Sequence, residues 1–95
     1  MTYHELKLHP RWFDAVKNGI KKCEIRKADR DFAVGDTLHL REIRPGEYDE
    51  APNGQMVQCY TNRTVNVRVT HVIRYEDFPS GIPEGYCVLS IEVIE

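Results

Sequence analysis

The chain has 95 residues, of which 41% are hydrophobic, and it carries a net charge of −2. This length supports one small core, because shorter halves could not each bury enough surface, so we predict a single domain over residues 1–95. The net charge argues against bulk adhesion to nucleic acid. The sequence contains no apolar run of about eighteen residues, so we predict neither a membrane span nor a membrane partner. The first five residues lack a signal-peptide pattern, which predicts a cytoplasmic protein.

The N-terminal region predicts a strand followed by a short helix. Residues 3–9 alternate in polarity, with Leu6 and Leu8 on one face. Residues 9–19 are typical of a helix, since Pro10 suits a first turn and Gly19 suits a left-handed end. The helix carries one apolar stripe that we expect to pack on the core: Phe13, Val16 and Ile20.

Residues 20–27 predict a second strand that is rich in charge. Alternation places Cys23 and Ile25 on one face, which we expect to be buried. The opposite face carries a row of charges: Lys22, Glu24 and Arg26. Because no ordinary core accepts such a row, we expect it to line a polar cleft. Lys21, at the corner between helix and strand, can lean over the same cleft.

The rest of the chain predicts three more strands, over 36–44, 64–74 and 86–94. Residues 45–58 predict a long exposed loop or a frayed hairpin, and 75–85 a loop rich in proline and glycine. The apolar side chains expected to point inward are Leu38 and Leu40, then Val65, Val67 and Val69, and finally Leu89, Ile91 and Val93.

The order of these elements predicts an α+β fold that is mostly β. Five strands and one helix without a βαβ alternation favour a mostly antiparallel sheet. Curling a small sheet into a barrel encloses a core and removes edges. A parity shift at 71–73 predicts a bulge or bend in the fourth strand.

Cysteine and histidine spacing predicts no metal site and no other cofactor. The three cysteines, Cys23, Cys59 and Cys87, are odd in number and widely separated, so we expect reduced thiols. The four histidines are scattered and show no spacing typical of metal ligands.

Charge is distributed unevenly along the chain. Residues 11–30 hold seven basic and three acidic side chains, whereas residues 46–95 hold three basic and eight acidic ones. A ligand that carries phosphate would therefore be drawn toward the basic region.

The pattern Gly-x-Lys-x-x-Glu-x-Arg, formed by Gly19, Lys21, Glu24 and Arg26, resembles the signature of the ASCH domain, a branch of the PUA-like superfamily. The resemblance extends to four flanking segments, at 12–16, 32–36, 60–63 and 85–91. The chain is most similar to the short ASCH-like domains of bacteria and their phages. The resemblance implies a PUA-like pseudo-β-barrel of about five strands with one or two short helices.

The candidate ligand-binding residues lie in two regions. Lys21, Glu24 and Arg26 form the first, and Arg30 follows them in the chain. In the second, Tyr60 can stack on a base and Arg63 can pair with a phosphate. The alternative for this pair is a hairpin tip with an aromatic lid over the core. Trp12 can offer a stacking face, but we expect it to pack against the barrel.

Three functions remain open at this point. The favoured one is a module that binds RNA, a nucleotide or a nucleoside through the Lys/Glu/Arg cleft. The resemblance also implies an amidohydrolase for N4-acetylcytidine-type nucleosides, in which Lys21 and Glu24 would be catalytic. However, Glu24 replaces the family's threonine, and a short loop replaces the helical insertion that supplies its glutamate. A protein-interaction or regulatory role is the third.

Overall fold

The computed structural model describes residues 1–94 as a small α+β fold that is mostly β. In chain order its elements are β1 (Tyr3–Leu8), α1 (Pro10–Lys17), β2 (Cys23–Lys27), β3 (Thr37–Glu50), β4 (Met56–Arg74), a single 3-10 turn (Tyr75–Asp77) and β5 (Tyr86–Val93). The predicted fold class is therefore confirmed.

The five strands form one mixed sheet in the order β1-β3-β4-β5-β2. β1 runs parallel to β3, whereas the other three neighbouring pairs are antiparallel, so the sheet is mostly antiparallel, as predicted. The sheet curls so that its two edge strands approach each other. Arg26 of β2 spans the gap and donates a hydrogen bond of 2.7 Å to the carbonyl of Lys7 in β1.

The core follows the predicted alternation in most strands. Its buried apolar side chains include Leu8, Leu38, Leu40, Val65, Val67, Val69, Leu89 and Ile91, together with Phe13 and Val16 of α1. The expectation that Ile20 continues the helical stripe is wrong, because its side chain is 75% exposed. Helix α1 ends at Lys17, and the left-handed Gly19 turns the chain away before Ile20.

The segment predicted as a loop or a frayed hairpin is a hairpin. β3 continues to Glu50 and β4 begins at Met56, with Tyr48 opposite Gln58. The side chains from Arg44 to Val57 are almost all exposed. This β3–β4 arm therefore extends beyond the core, in a molecule of 42 × 28 × 25 Å.

Strand β4 contains two irregularities. The predicted bulge near His71 is present as a register shift between Val69 and His71. The second lies at 61–63, where three residues oppose the single residue Glu42, and Asn62 adopts a φ of 74°. The alternative of a hairpin tip between Tyr60 and Arg63 is thus wrong, because β4 runs through this position as a bulged strand.

No helix within residues 1–94 is long and apolar enough to cross a membrane.

Candidate functional site

A cavity of about 370 Å³ lies where β1, α1 and β2 meet. Its lining comprises Lys7, Leu8, His9, Trp12, Lys21, Glu24, Ile25 and Arg26. The volume lies within the range of small-molecule sites, which runs from about 300 to 1,000 Å³. The site therefore forms where the two edges of the curled sheet approach each other, under the first turn of the helix.

Glu24 lies at the buried side of this cavity and is only 4% exposed. The expectation that Cys23 and Ile25 are buried is wrong, since Cys23 is exposed and Ile25 is 66% exposed. Strand β2 is an edge strand whose inner face meets two cations rather than apolar side chains. These cations compensate the buried carboxylate, so the charged face can point inward.

Lys21 and Arg26 hold the Glu24 carboxylate from two sides. Lys21 Nζ donates to Glu24 Oε2 and to the carbonyl of Cys23. Arg26 donates to Glu24 Oε1 through Nε at 3.1 Å and through Nη2 at 2.9 Å. The structure thus brings the three motif side chains together at one cavity, whereas Lys22 is exposed and outside the lining.

Trp12 provides the aromatic wall of the cavity. We expected it to pack against the barrel, but its side chain is 44% exposed and lines the site. Lys21 Nζ lies 5.6 Å from the centre of its ring, within the range of a cation–π contact. The helical spacing explains the difference, because Phe13 and Val16 take the buried face and Trp12 falls beside it.

Sequence reasoning missed three lining residues, Lys7, Leu8 and His9. They end β1 and begin α1, and only the curling of the sheet brings them to β2. His9 caps the helix, since its Nδ1 accepts a hydrogen bond of 3.1 Å from the backbone N–H of Arg11. The sequence signal for this cap was the polar residue directly before Pro10.

Arg30 and Tyr60 lie in a second, shallower groove of about 250 Å³. This second groove is lined by Glu5, Leu6, Lys7, Arg26, Arg30 and Tyr60. Two of the predicted ligand-binding residues therefore lie near the motif but outside the first cavity.

Arg63 is placed elsewhere, in contact with the buried Glu42. It donates from Nε and Nη2 to the two Glu42 oxygens at 2.9 and 2.7 Å, and from Nη1 to Asp14 at 3.1 Å. Thr61 Oγ1 donates to Glu42 Oε1 at 2.6 Å. These contacts connect β3, β4 and α1, and Arg63 lines neither the cavity nor the second groove.

The Glu42 contacts also alter ionisation. Hydrogen bonds from Arg63 and from Thr61 lower the pKa of the Glu42 carboxyl by more than burial raises it. The same contact with Glu42 raises the pKa of the Arg63 guanidinium. Sequence reasoning missed Glu42, although the signal was present: it takes the inward position after Leu38 and Leu40 in the alternation of β3.

The cavity can recognise a ligand by charge, hydrogen bonding and stacking, and its carboxylate can also act as a base. The described lining contains no hydroxyl or thiol side chain that could act as a nucleophile. Residues 1–94 also contain no group of three or more histidine, cysteine, aspartate or glutamate side chains placed to hold a metal ion.

Comparison with known proteins gives two matches. The family model described as "Domain of unknown function (DUF3850)" matches residues 3–91. A protein of Escherichia phage P2, described as an uncharacterized 12.9 kDa protein in the GpA 3' region, is 39% identical over 75 residues, which are 79% of this chain. The match spans 58% of the phage protein's length. Since the family model covers nearly the whole sequence, the chain belongs to the DUF3850 family.

Proposed function

We propose that this protein binds RNA or a nucleotide by taking a nucleobase into the cavity lined by Lys21, Glu24 and Arg26. The observation that carries the proposal is a buried carboxylate held by two cations beside a half-exposed tryptophan. A nucleobase matches this arrangement, because it offers a flat face for stacking and an edge of donors and acceptors.

The hydrogen-bonding capacity of Glu24 favours bases that carry an exocyclic amine. An ionised carboxylate oxygen can accept about two hydrogen bonds. Oε1 receives two from Arg26, whereas Oε2 receives one from Lys21. The exocyclic amine of cytosine, adenine or guanine can supply a further bond to Oε2, whereas uracil carries at the position of the cytosine amine a carbonyl, which can only accept.

We also propose that the chain is an ASCH-like member of the PUA-like superfamily. The motif Gly19, Lys21, Glu24 and Arg26 supports this assignment, as does a helix that precedes the motif strand. The curled five-strand sheet is compatible with it.

Calorimetric titration with cytidine and uridine tests the proposed function. We expect wild-type protein to bind cytidine about tenfold more tightly than uridine, because one additional hydrogen bond contributes about 1.4 kcal/mol, which corresponds to a tenfold change in the dissociation constant. Glu24→Gln should lose this preference, because an amide offers both a donor and an acceptor. Lys21→Ala should weaken cytidine binding, and Lys22→Ala is the matched control because Lys22 is exposed outside the cavity.

Two results would contradict the proposal. One is an absence of binding of either nucleoside to folded wild-type protein. The other is equal behaviour of Lys21→Ala and Lys22→Ala, which would place the binding site outside the cavity.

Hydrolysis of an N-acylated nucleoside is the second candidate, and the direct contact between Lys21 and Glu24 favours it. With no hydroxyl in the described lining, Glu24 would act as the base for a water molecule. Incubation with N4-acetylcytidine and chromatography of the products tests this. Turnover by wild type that disappears in Glu24→Gln would support hydrolysis, and turnover that survives in Glu24→Gln would contradict this mechanism.

A further inference from the structure

The cavity and the second groove are connected through two shared residues. Lys7 and Arg26 line both of them. Trp12 lies in the first and Tyr60 in the second, so an aromatic side chain is available in each. A ligand longer than one nucleoside can therefore pass from the cavity over Lys7 and Arg26 into the second groove.

The passage between the two sites carries cations without protein partners. Within residues 1–94, the side chains of Lys7 and Arg30 form no hydrogen bond or ion pair with other residues. Arg26 uses Nε and Nη2 for Glu24 and for the Lys7 carbonyl. Its Nη1 group has no acceptor in that part of the chain, so it remains available to a ligand oxygen.

Tyr60 is held in the second groove by its neighbours. The guanidinium of Arg41 lies 3.7 Å from the centre of its ring, and Arg41 also forms an ion pair of 2.8 Å with Glu5. The acidic residue of this groove is thus already paired. The remaining cations make the groove suitable for an anionic group, and phosphate is the anion that links nucleotides.

We propose that the ligand is single-stranded RNA that occupies both sites. One base lies in the cavity beside Trp12, the following phosphate contacts Lys7, Arg26 and Arg30, and the next nucleotide contacts Tyr60. This inference rests on the proposed function, and it adds that a dinucleotide is the smallest ligand that uses the whole site.

Comparison of cytidine with the dinucleotide cytidylyl-3',5'-cytidine (CpC) tests the inference by calorimetry. We expect wild type to bind CpC at least tenfold more tightly than cytidine. Raising salt from about 50 to 200 mM should weaken CpC binding but not binding of the uncharged cytidine, because phosphate contacts release counterions.

Two variants locate the second site. Arg30→Gln and Tyr60→Leu should each reduce the ratio of CpC affinity to cytidine affinity about fivefold. The matched control is Lys27→Gln, since Lys27 is exposed and lines neither site. Thermal melting of each variant checks that the protein is folded.

The outcomes separate the inference from the proposed function. If cytidine binds and CpC binds no more tightly, the two-site inference is overturned and the nucleobase site stands. An unchanged affinity ratio in both folded variants also overturns it. If neither cytidine nor CpC binds, the proposed function fails and the inference fails with it.

Discussion

At the residue scale, two buried glutamates show how the same side chain takes different roles. Glu42 is 3% exposed, and its carboxylate accepts hydrogen bonds from one bidentate arginine and one threonine. It lines neither the cavity nor the second groove. Glu24 is similarly buried, but its two cations come from separate positions and it lines the cavity. Burial of a carboxylate therefore indicates a ligand site only where the group also faces open space.

A third buried acidic group, Asp36, has a structural role, as Glu42 does. Burial raises the pKa of its carboxyl, but hydrogen bonds from Thr2, His4 and Ala33 outweigh this and lower the pKa overall. His4 Nε2 lies 2.9 Å from Asp36 Oδ2, and both side chains are buried. This contact joins the start of β1 to the start of β3.

The lowered pKa values of Glu42 and Asp36 predict acid sensitivity. The unfolded chain binds protons more readily than the folded one, so their stabilisation is present above the ordinary pKa values of 4.5 and 3.8 and is lost as pH falls further. Glu42→Gln should cost about 1–3 kcal/mol at neutral pH and should reduce the acid-dependent loss, because glutamine does not titrate.

Urea unfolding between neutral and acidic pH measures this effect. Glu50→Gln, at an exposed position on the β3–β4 arm, is the control and should retain the wild-type pH profile. If Glu42→Gln loses stability with acid as steeply as wild type, the Glu42 contacts do not contribute as described.

At the element scale, residues 44–57 of the β3–β4 arm line neither the cavity nor the second groove. Its outer residues are exposed, and the first of its outer cross-strand pairs is Tyr48 with Gln58. Cys59 lies at the base of the arm, where burial and the carboxylates of Asp49 and Glu47 raise the pKa of its thiol. The thiol form of Cys59 is therefore favoured over the more reactive thiolate.

Replacing residues 49–57 with Asn-Gly should leave the fold intact. A two-residue turn suits the connection between directly opposed residues, and Asn-Gly favours that turn. We expect a change in melting temperature below about 4 °C, which corresponds to less than about 1 kcal/mol, and an unchanged cytidine affinity. Circular dichroism melting and calorimetry check both. A loss of folding would show that the arm supports the core, and a loss of cytidine binding would show that the arm belongs to the site.

Strand parity could be predicted from sequence wherever one face is apolar. The valines of β4 and the leucines of β3 alternate with polar residues, and they are buried as predicted. In β2 the inward face is the charged one. The rule that apolar side chains point inward therefore predicted the wrong orientation for this strand, with Cys23 and Ile25 buried and Glu24 on the opposite face. The missing information was tertiary, because the burial of Glu24 depends on where Lys21 and Arg26 meet it.

The candidate site could be predicted in part for a similar reason. Lys21, Glu24 and Arg26 are neighbours in sequence, so their convergence was accessible from one local motif. The contributions of Lys7 and Trp12 depend on how β1 and α1 lie against β2, which no local pattern specifies. The contact of Arg63 with Glu42 could not be predicted, because the two residues are 21 positions apart in the sequence.

At the scale of the whole molecule, the same residue bridges the two edges of the sheet and lines the candidate site. Arg26 joins the two edge strands, pairs with Glu24 and lines both the cavity and the second groove. The charged side chains of the cavity therefore lie where an arginine side chain, and not strand pairing, joins the two edge strands. We propose that this cavity receives a nucleobase beside Trp12.

Intrinsic fluorescence tests that claim most directly, because Trp12 is the single tryptophan of the chain. Cytidine should produce a saturable quenching of Trp12 in wild type, with the same dissociation constant as calorimetry gives, since a stacked base alters the emission of the indole it covers. Calorimetric binding of cytidine without any change in Trp12 fluorescence would place the ligand away from the cavity and contradict the account.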